Sequence, residues 1–351
     1  MIGVGIVGLS AARGWAARAH LPALRAQPER FAVRASCASS PESGRAGAEA
    51  HGVPVACADA AELAARPDVD LVVVTVKVPH HEELVGAALA EGKAVLCEWP
   101  LGNGTVEAER MTIAAQGVPA FVGLQARSAP AVGQVRELVL SGAVGEILST
   151  TVVGTGGRWG ASVDREGRYL VDAANGATLL TIPFGHTLDA VCSVLGEPDR
   201  IGAVLATRRP QVVLEETGER IPMTAEDQVA VTATFGGAVA TFHYRGGTDA
   251  GTGFRWEIHG TDGTVVVRGD TGHLQYGAVE VLLARGGGPL EPIVPAPPRV
   301  PTEHGSPAHV VAQAYAALAD DLADGGHRVP LFADALARHR TLDLIRSAAH
   351  E

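Results

Sequence analysis

The stretch with the most evident chemical use lies near the N-terminus, where the apolar run Ile2 to Val7 ends in Gly8-Leu9-Ser10-Ala11-Ala12-Arg13-Gly14-Trp15. Gly3-Val4-Gly5-Ile6-Val7-Gly8 also satisfies G-x-G-x-x-G, but its first glycines fall inside the predicted strand and not in the turn behind it. A phosphate-binding turn must leave a strand and open a helix, so Gly8 to Trp15 is the working loop. Gly8 permits a tight turn and close backbone approach. The helix starting near Trp15 offers unpaired N–H groups and a positive dipole end to a diphosphate. Ser10 adds a hydroxyl donor, and Arg13, Gly14 and Trp15 complete the segment expected to hold a dinucleotide.

Selection between dinucleotides is made about 20 residues beyond such a turn, where an acidic residue at the end of the second strand accepts bonds from the ribose hydroxyls. Here Arg34-Ala35-Ser36-Cys37-Ala38 runs into Ser39-Ser40-Pro41-Glu42-Ser43-Gly44-Arg45, with no acidic residue at the strand end. Ser39, Ser40 and Arg45 suit a 2′-phosphate, which gains hydrogen bonds and charge pairing there. NADP(H) is therefore the expected cofactor. The alternative is that Ser39 caps the following helix and Arg45 is solvated.

The elements that must position these residues follow from periodicity. Up to about residue 125, apolar strands alternate with Ala-rich helical stretches, the pattern of a parallel sheet with crossover helices. The expected strands are Ile2 to Val7, Phe31 to Ala38, Leu71 to Val76, Ala94 to Glu98 and Ala120 to Leu124, with helices at Trp15 to Gln27, Pro41 to Ala50, His80 to Glu91 and Thr105 to Gln116. After a helix between residues 127 and 142 the rhythm changes to longer strands joined by turns, of which Gly236-Gly237 and Thr261-Asp262-Gly263 are hairpin chemistry. Pro289 to Pro301 is expected to be a surface loop, followed by helices near Ala308 to Asp324 and Phe332 to Ser347. The fold class is α/β plus α+β: a Rossmann, doubly wound parallel sheet in residues 1–126, and an open-faced, mostly antiparallel sheet with C-terminal helices in residues 127–351.

Bulk properties narrow the function classes. Across 351 residues the net charge is −11 and 46% of residues are hydrophobic, a globular profile without a basic cluster to attract nucleic acid. The first apolar run is too short to span a bilayer, so no membrane anchor is inferred and a cytoplasmic location is expected. Cys37, Cys57, Cys97 and Cys192 form no C-x-x-C pair, so neither a metal site nor a disulfide framework is suggested.

Several phrases together carry a family resemblance. They are Ala19-His20-Leu21-Pro22-Ala23-Leu24, Val74-Thr75-Val76-Lys77-Val78-Pro79-His80-His81, Gly92-Lys93-Ala94-Val95-Leu96-Cys97-Glu98-Trp99-Pro100, Gly185-His186 with Leu188-Asp189, and Phe332-Ala333-Asp334-Ala335-Leu336. In order and spacing the chain resembles the glucose-fructose oxidoreductase and inositol dehydrogenase family, Gfo/Idh/MocA. Within it, Gly8 to Trp15 and Cys97-Glu98-Trp99-Pro100 resemble the branch that includes the yeast galactose-pathway repressor, a dinucleotide-binding regulator.

The resemblance implies a set of roles. Thr75, Val76, Lys77, His81, Glu98, Trp99, Pro100 and Gln125 take positions that line the cofactor. Arg127, Tyr169, Asp172, Asn175, His186 and Trp99 take positions that face substrate. His186 is the expected acid or base, since imidazole titrates near neutral pH, and Lys77 and Tyr169 are further catalytic candidates. Two departures bear on catalysis. The family's proton-carrying lysine is Trp99 here, whose indole only donates, and the acidic residue four positions before the histidine is Ile182. The reading is an NADP(H)-dependent oxidoreductase acting on a small, sugar-like substrate as a homo-oligomer, dimer or tetramer. Its rivals are a non-catalytic NADP(H)-binding regulator and an NADPH-dependent imine reductase.

Overall fold

The computed structural model describes residues 1–12, 14–247 and 253–350. Arg13, expected in the cofactor loop, lies outside the described residues. The chain forms two compact units, Met1–Gln125 with Pro298–His339, and Ala126–Pro297 with Arg340–Glu351. The units part near residue 126, and the chain beyond it is shared between them. Pro298–His339 returns to the first unit because the helix Pro307–Asp324 places Val311, Ala312, Tyr315 and Leu318 in one buried cluster with Leu21, Leu24 and Phe31. Periodicity shows that this helix has an apolar face; it does not show what that face covers.

Unit one is built on strands β1 (Ile2–Val7), β2 (Phe31–Cys37), β3 (Val55–Ala56), β4 (Leu71–Val74), β5 (Ala94–Glu98) and β6 (Ala120–Gly123). They form a six-stranded sheet in the order β3-β2-β1-β4-β5-β6, parallel throughout. The order reverses between β1 and β4, the topological switch point at whose carboxyl ends open α/β sheets bind ligands. Val4, Ile6, Leu71, Val73 and Leu96 are buried, as strands covered on both faces must be. The expected first helix is a π-helical turn, Ala16–His20, continuing into the α-helix Leu21–Arg25. The two-residue β3 and the short helix Ala60–Ala64 were not anticipated, being too short to show a period.

Unit two carries β7 (Ile147–Gly156), β8 (Ser162–Val163), β9 (Arg200–Ala206), β10 (Gln211–Leu214), β11 (Arg220–Pro222), β12 (Gln228–Phe235), β13 (Ala238–Gly246), β14 (Phe254–Gly260), β15 (Gly263–Gly269), β16 (Val279–Arg285) and β17 (Glu291–Ile293). Eight of them form one sheet, β17-β16-β15-β14-β7-β13-β12-β9, in which only β7 and β13 pair in parallel. Buried and exposed residues alternate along β13, with Phe242 and Tyr244 inward and Val239, Thr241 and His243 outward, so one sheet face is open. β8, β10 and β11 make a separate small sheet. The Pro-rich stretch expected as loop contains β17, where Pro292 is tolerated because the strand is at the edge. No described helix is long and apolar enough to cross a membrane.

The docking of Pro307–Asp324 is open to measurement. Leu318 is 1% exposed, and Leu318→Ala should lower unfolding free energy by roughly 2–5 kcal/mol in urea titration. Unchanged stability would show that the helix is not part of the core.

Candidate functional site

In unit one the glycine turn sits at the switch point. Gly8 has φ +101°, and a Cβ there would lie 2.9 Å from the Thr75 carbonyl oxygen and from Val76 Cγ1. Both the conformation and the space demand glycine. The Gly8 N–H donates to the Cys37 carbonyl at 2.9 Å, and Thr75 donates to the Val7 carbonyl from its N–H at 3.0 Å and its hydroxyl at 2.8 Å. The helix Pro41–His51 backs the loop. A Cβ on Gly47 would come within 2.3 Å of the Leu9 carbonyl oxygen, and His51 Nε2 lies 2.9 Å from the Ser10 carbonyl. At the far end Gly14 has φ +102° and nothing within 4 Å of a built Cβ. A left-handed glycine with open space ahead of a helical segment fits a diphosphate cradle.

Around it, several anticipated side chains are held by local structure. Ser40 caps the helix, accepting from the Ser43 N–H at 3.2 Å while Ser43 Oγ accepts from the Ser40 N–H at 3.1 Å. Arg45 pairs with Glu42 at 3.4 Å, both exposed, and Ser39 is exposed. His81 is buried, with Nε2 3.0 Å from the Val76 carbonyl and Nδ1 3.0 Å from that of Pro100. Burial holds its imidazole below its ordinary pKa. It braces the turns after β4 and β5 from within. Lys77 is exposed at the start of the turn Val78–His80. Trp99 is 5% exposed, its ring 4.7 Å from that of His339.

At the end of β5, Glu98 Oε1 lies 2.6 Å from Gln125 Nε2 and 3.0 Å from His20 Nε2. Gln125 Oε1 is buried with no partner. A Cβ on Gly123 would overlap Glu98 Oε1, so any other residue there would push the Glu98 carboxylate aside.

In unit two, His186 stands on the helix Gly185–Leu195, buried, with Nδ1 unpartnered. Burial, then the nearby His273, pushes its pKa down to about 3. The expected near-neutral titration is therefore corrected: desolvation keeps this imidazole uncharged. His273 is pushed to about 4, again mainly by burial. Its ring stacks on Tyr276 at 4.7 Å and faces Trp159 at 6.4 Å. A chain of hydroxyls ties the two regions together: Thr187 Oγ1 is 2.6 Å from Tyr244 Oη, which donates to the Gly272 carbonyl at 3.1 Å. Gln275 Nε2 donates to His273 Nδ1 at 3.2 Å, and Gln275 Oε1 is buried without a partner.

The other expected substrate contacts serve the scaffold. Arg127 makes a two-pronged bond with the fully buried Asp189, Nε to Oδ2 at 2.7 Å. Asp172 caps the turn Ala173–Asn175 and accepts from Thr224. Asn175 donates to the Tyr169 carbonyl at 2.8 Å. Burial raises the pKa of the Tyr169 phenol. Sequence reasoning missed His273, Gln275, His20 and Tyr315 as site residues; no motif surrounds His273 or Gln275, whereas His20 stood inside a quoted phrase. Among the described residues no group of three or more His, Cys, Asp or Glu is placed to hold a metal ion.

Residues 2–124 match the sequence model described as "Oxidoreductase family, NAD-binding Rossmann fold", and residues 130–269 that described as "Gal80p, C-terminal domain". Residues 2–124 thus carry the nucleotide-binding domain of the Gfo/Idh/MocA family. Its relatives include the dehydrogenase aclE of Aspergillus oryzae, 39% identical over 62% of this chain and 61% of that protein. The galactose/lactose metabolism regulatory protein of Saccharomyces cerevisiae is 29% identical over 77% of this chain and 67% of its own length. A solved super-repressor mutant of that regulator superposes with TM-score 0.90 at 25% identity, covering 99% of this chain and 96% of the other. The levoglucosan dehydrogenase of Pseudarthrobacter phenanthrenivorans is 27% identical over 76% of this chain and 73% of its own length. The alignments thus reach only about two-thirds of the length of the first two relatives.

The depressed histidines make stability depend on pH. Unfolded histidine has its ordinary value near 6.5, so below it the unfolded chain takes up protons that folded His186 and His273 refuse until about 3 and about 4. Stability falls as pH drops through that window, and His273→Gln should flatten the slope in urea titrations. A variant with the wild-type slope would refute the assigned burial.

Proposed function

We propose that this protein is an NADP(H)-dependent oxidoreductase that moves hydride to or from a secondary alcohol or ketone of a sugar-like molecule. The observation that carries the reading is the pinned, left-handed Gly8 at the switch point, leading through the uncrowded Gly14 into a helical segment. In this reading Gly8, Ser10, Gly14 and Trp15 hold the diphosphate, and Thr75, Val76, Lys77 and Gln125 line the nicotinamide side. The nicotinamide, when bound, supplies or accepts the hydride. Preference for NADP(H) rests on the absence of an acidic strand-end residue, on exposed Ser39, and on Arg45, whose exposed pair with Glu42 is weak enough to yield to a phosphate.

Substrate recognition falls to His186, Tyr169, His273 and Gln275. A neutral imidazole and an amide each offer a donor and an acceptor, the mixture that sugar hydroxyls require. The levoglucosan dehydrogenase and 1,5-anhydro-D-fructose reductase relatives support a sugar-class substrate. Pairing of copies through the open sheet face, where Val204 and Val239 are exposed, belongs to the same reading.

A specific observation favours a second reading, a non-catalytic NADP(H)-binding regulator. Trp99 replaces the proton-carrying lysine, and residues 130–269 match the regulator's C-terminal domain. A panel of levoglucosan, 1,5-anhydro-D-fructose and D-galactose with NADP⁺ or NADPH separates the two. Turnover of any member establishes the oxidoreductase, and none would favour the regulator.

Cofactor choice is tested by fluorescence titration. NADPH should bind at least about tenfold more tightly than NADH, and Arg45→Ala should remove most of that margin, the loss of one charge-assisted contact. Tighter binding of NADH would contradict the proposed phosphate site.

A further inference from the structure

A directed chain of hydrogen bonds runs from the helix Pro307–Asp324 to the end of β5. The Tyr315 hydroxyl lies 2.7 Å from His20 Nδ1, His20 Nε2 lies 3.0 Å from Glu98 Oε1, and Gln125 Nε2 meets the same oxygen at 2.6 Å. A carboxylate oxygen only accepts, so the bond to Glu98 asks for the hydrogen on His20 Nε2; in that neutral tautomer Nδ1 accepts from the Tyr315 hydroxyl. The three contacts then run in one direction. His20 and Tyr315 are 0% and 1% exposed, whereas the Glu98 side chain is 13% exposed. The chain is closed at the Tyr315 end and open only at Glu98, where both bonds fall on Oε1.

We propose that Glu98 is the catalytic residue that takes and returns the reaction's proton, at Oε2, with His20 and Tyr315 as positioning residues that orient the carboxylate through these hydrogen bonds. The inference rests on the oxidoreductase reading above. In the oxidative direction the substrate O–H bond breaks and its proton passes to Oε2, while the carbinol C–H bond breaks and its electron pair leaves as hydride for the oxidised nicotinamide of NADP⁺, the two-electron acceptor. The carbon–oxygen bond becomes double, and the reverse reaction returns both. The neighbouring Trp99 cannot accept a proton, and the buried His186 is too weak a base at neutral pH. Glu98 is a carboxylate at a strand end where ligands of such sheets lie. Gln125, which shares Oε1, keeps a buried carbonyl oxygen without a partner, as a group awaiting a donor would.

The experiment compares the full-length protein with Glu98→Gln, Glu98→Ala and Tyr315→Phe. It uses NADPH calorimetry, turnover of the active member of the sugar panel, and ¹⁵N spectra of histidine-labelled protein. Glu98→Gln should lose about 100-fold or more in kcat while NADPH affinity stays within about threefold, and formate should restore at least about tenfold to Glu98→Ala. Tyr315→Phe should lower kcat with KM unchanged and shift the His20 Nδ1 resonance. The wild-type spectrum should show His20 protonated at Nε2. A Glu98→Gln enzyme within about threefold of wild-type kcat, failure of formate to rescue Glu98→Ala, or a His20 protonated at Nδ1 overturns the proposal and leaves the oxidoreductase reading standing. A wild-type protein inactive on the whole panel overturns both.

Discussion

The constraint on which the rest depends is the exit of the chain from β1. That strand lies between β2 and β4, bonded to both, so its last residues have no lateral freedom. Gly8 must turn at once, with its N–H on the Cys37 carbonyl and the Thr75 backbone against its α-carbon. Only a residue without a side chain does this at positive φ. The turn is in consequence rigid at its root, open at Gly14, and aimed into a helical start. Without that geometry no anion is held and nothing downstream has a cofactor to act upon.

The polar residues divide into those committed to the scaffold and those left unsatisfied inside it. Ser40, Asp172, Asn175, Arg127 and His81 spend their hydrogen bonds on caps, turns and a buried ion pair. Several buried polar atoms among the described residues lack a partner, Gln27 Oε1 and Gln134 Oε1 away from the candidate site and Gln125 Oε1, His186 Nδ1 and Gln275 Oε1 at it. Each such atom costs about 1–3 kcal/mol, so its persistence asks for an explanation, and a ligand that supplies the missing bond is one. Those of Gln125, His186 and Gln275 occur beside the strand-end carboxylate in unit one and beside the two buried histidines in unit two.

Much of this was legible in the sequence. Strands of Val, Ile and Leu bounded by glycines gave β1, β2, β4, β5 and β6 nearly to the residue, and hairpin glycines placed β12 to β15. The parts that were hidden depend on contacts between distant residues. His20 and Tyr315 are 295 positions apart, and no local pattern marks their bond. The return of Pro298–His339 to unit one depends on which apolar face is left uncovered, a property of the assembled sheet and helices. His273 and Gln275 lie between strands, where polar residues are usually solvated, yet both are buried, beside the Gly272 carbonyl that Tyr244 bonds. His186 was found by motif, but its charge state was not, because desolvation is invisible in one dimension.

The claim beneath both functional readings is that the turn after β1 holds a nicotinamide dinucleotide. Hydrogen–deuterium exchange with and without NADPH tests it most directly. Backbone amides of Leu9 to Ala12, Gly14 to Ala16 and Thr75 to Val78 should slow on addition of the nucleotide, while those of the open strands β9 and β12 stay unchanged. Equal exchange at every one of these amides, at saturating NADPH and NADH alike, would contradict the account.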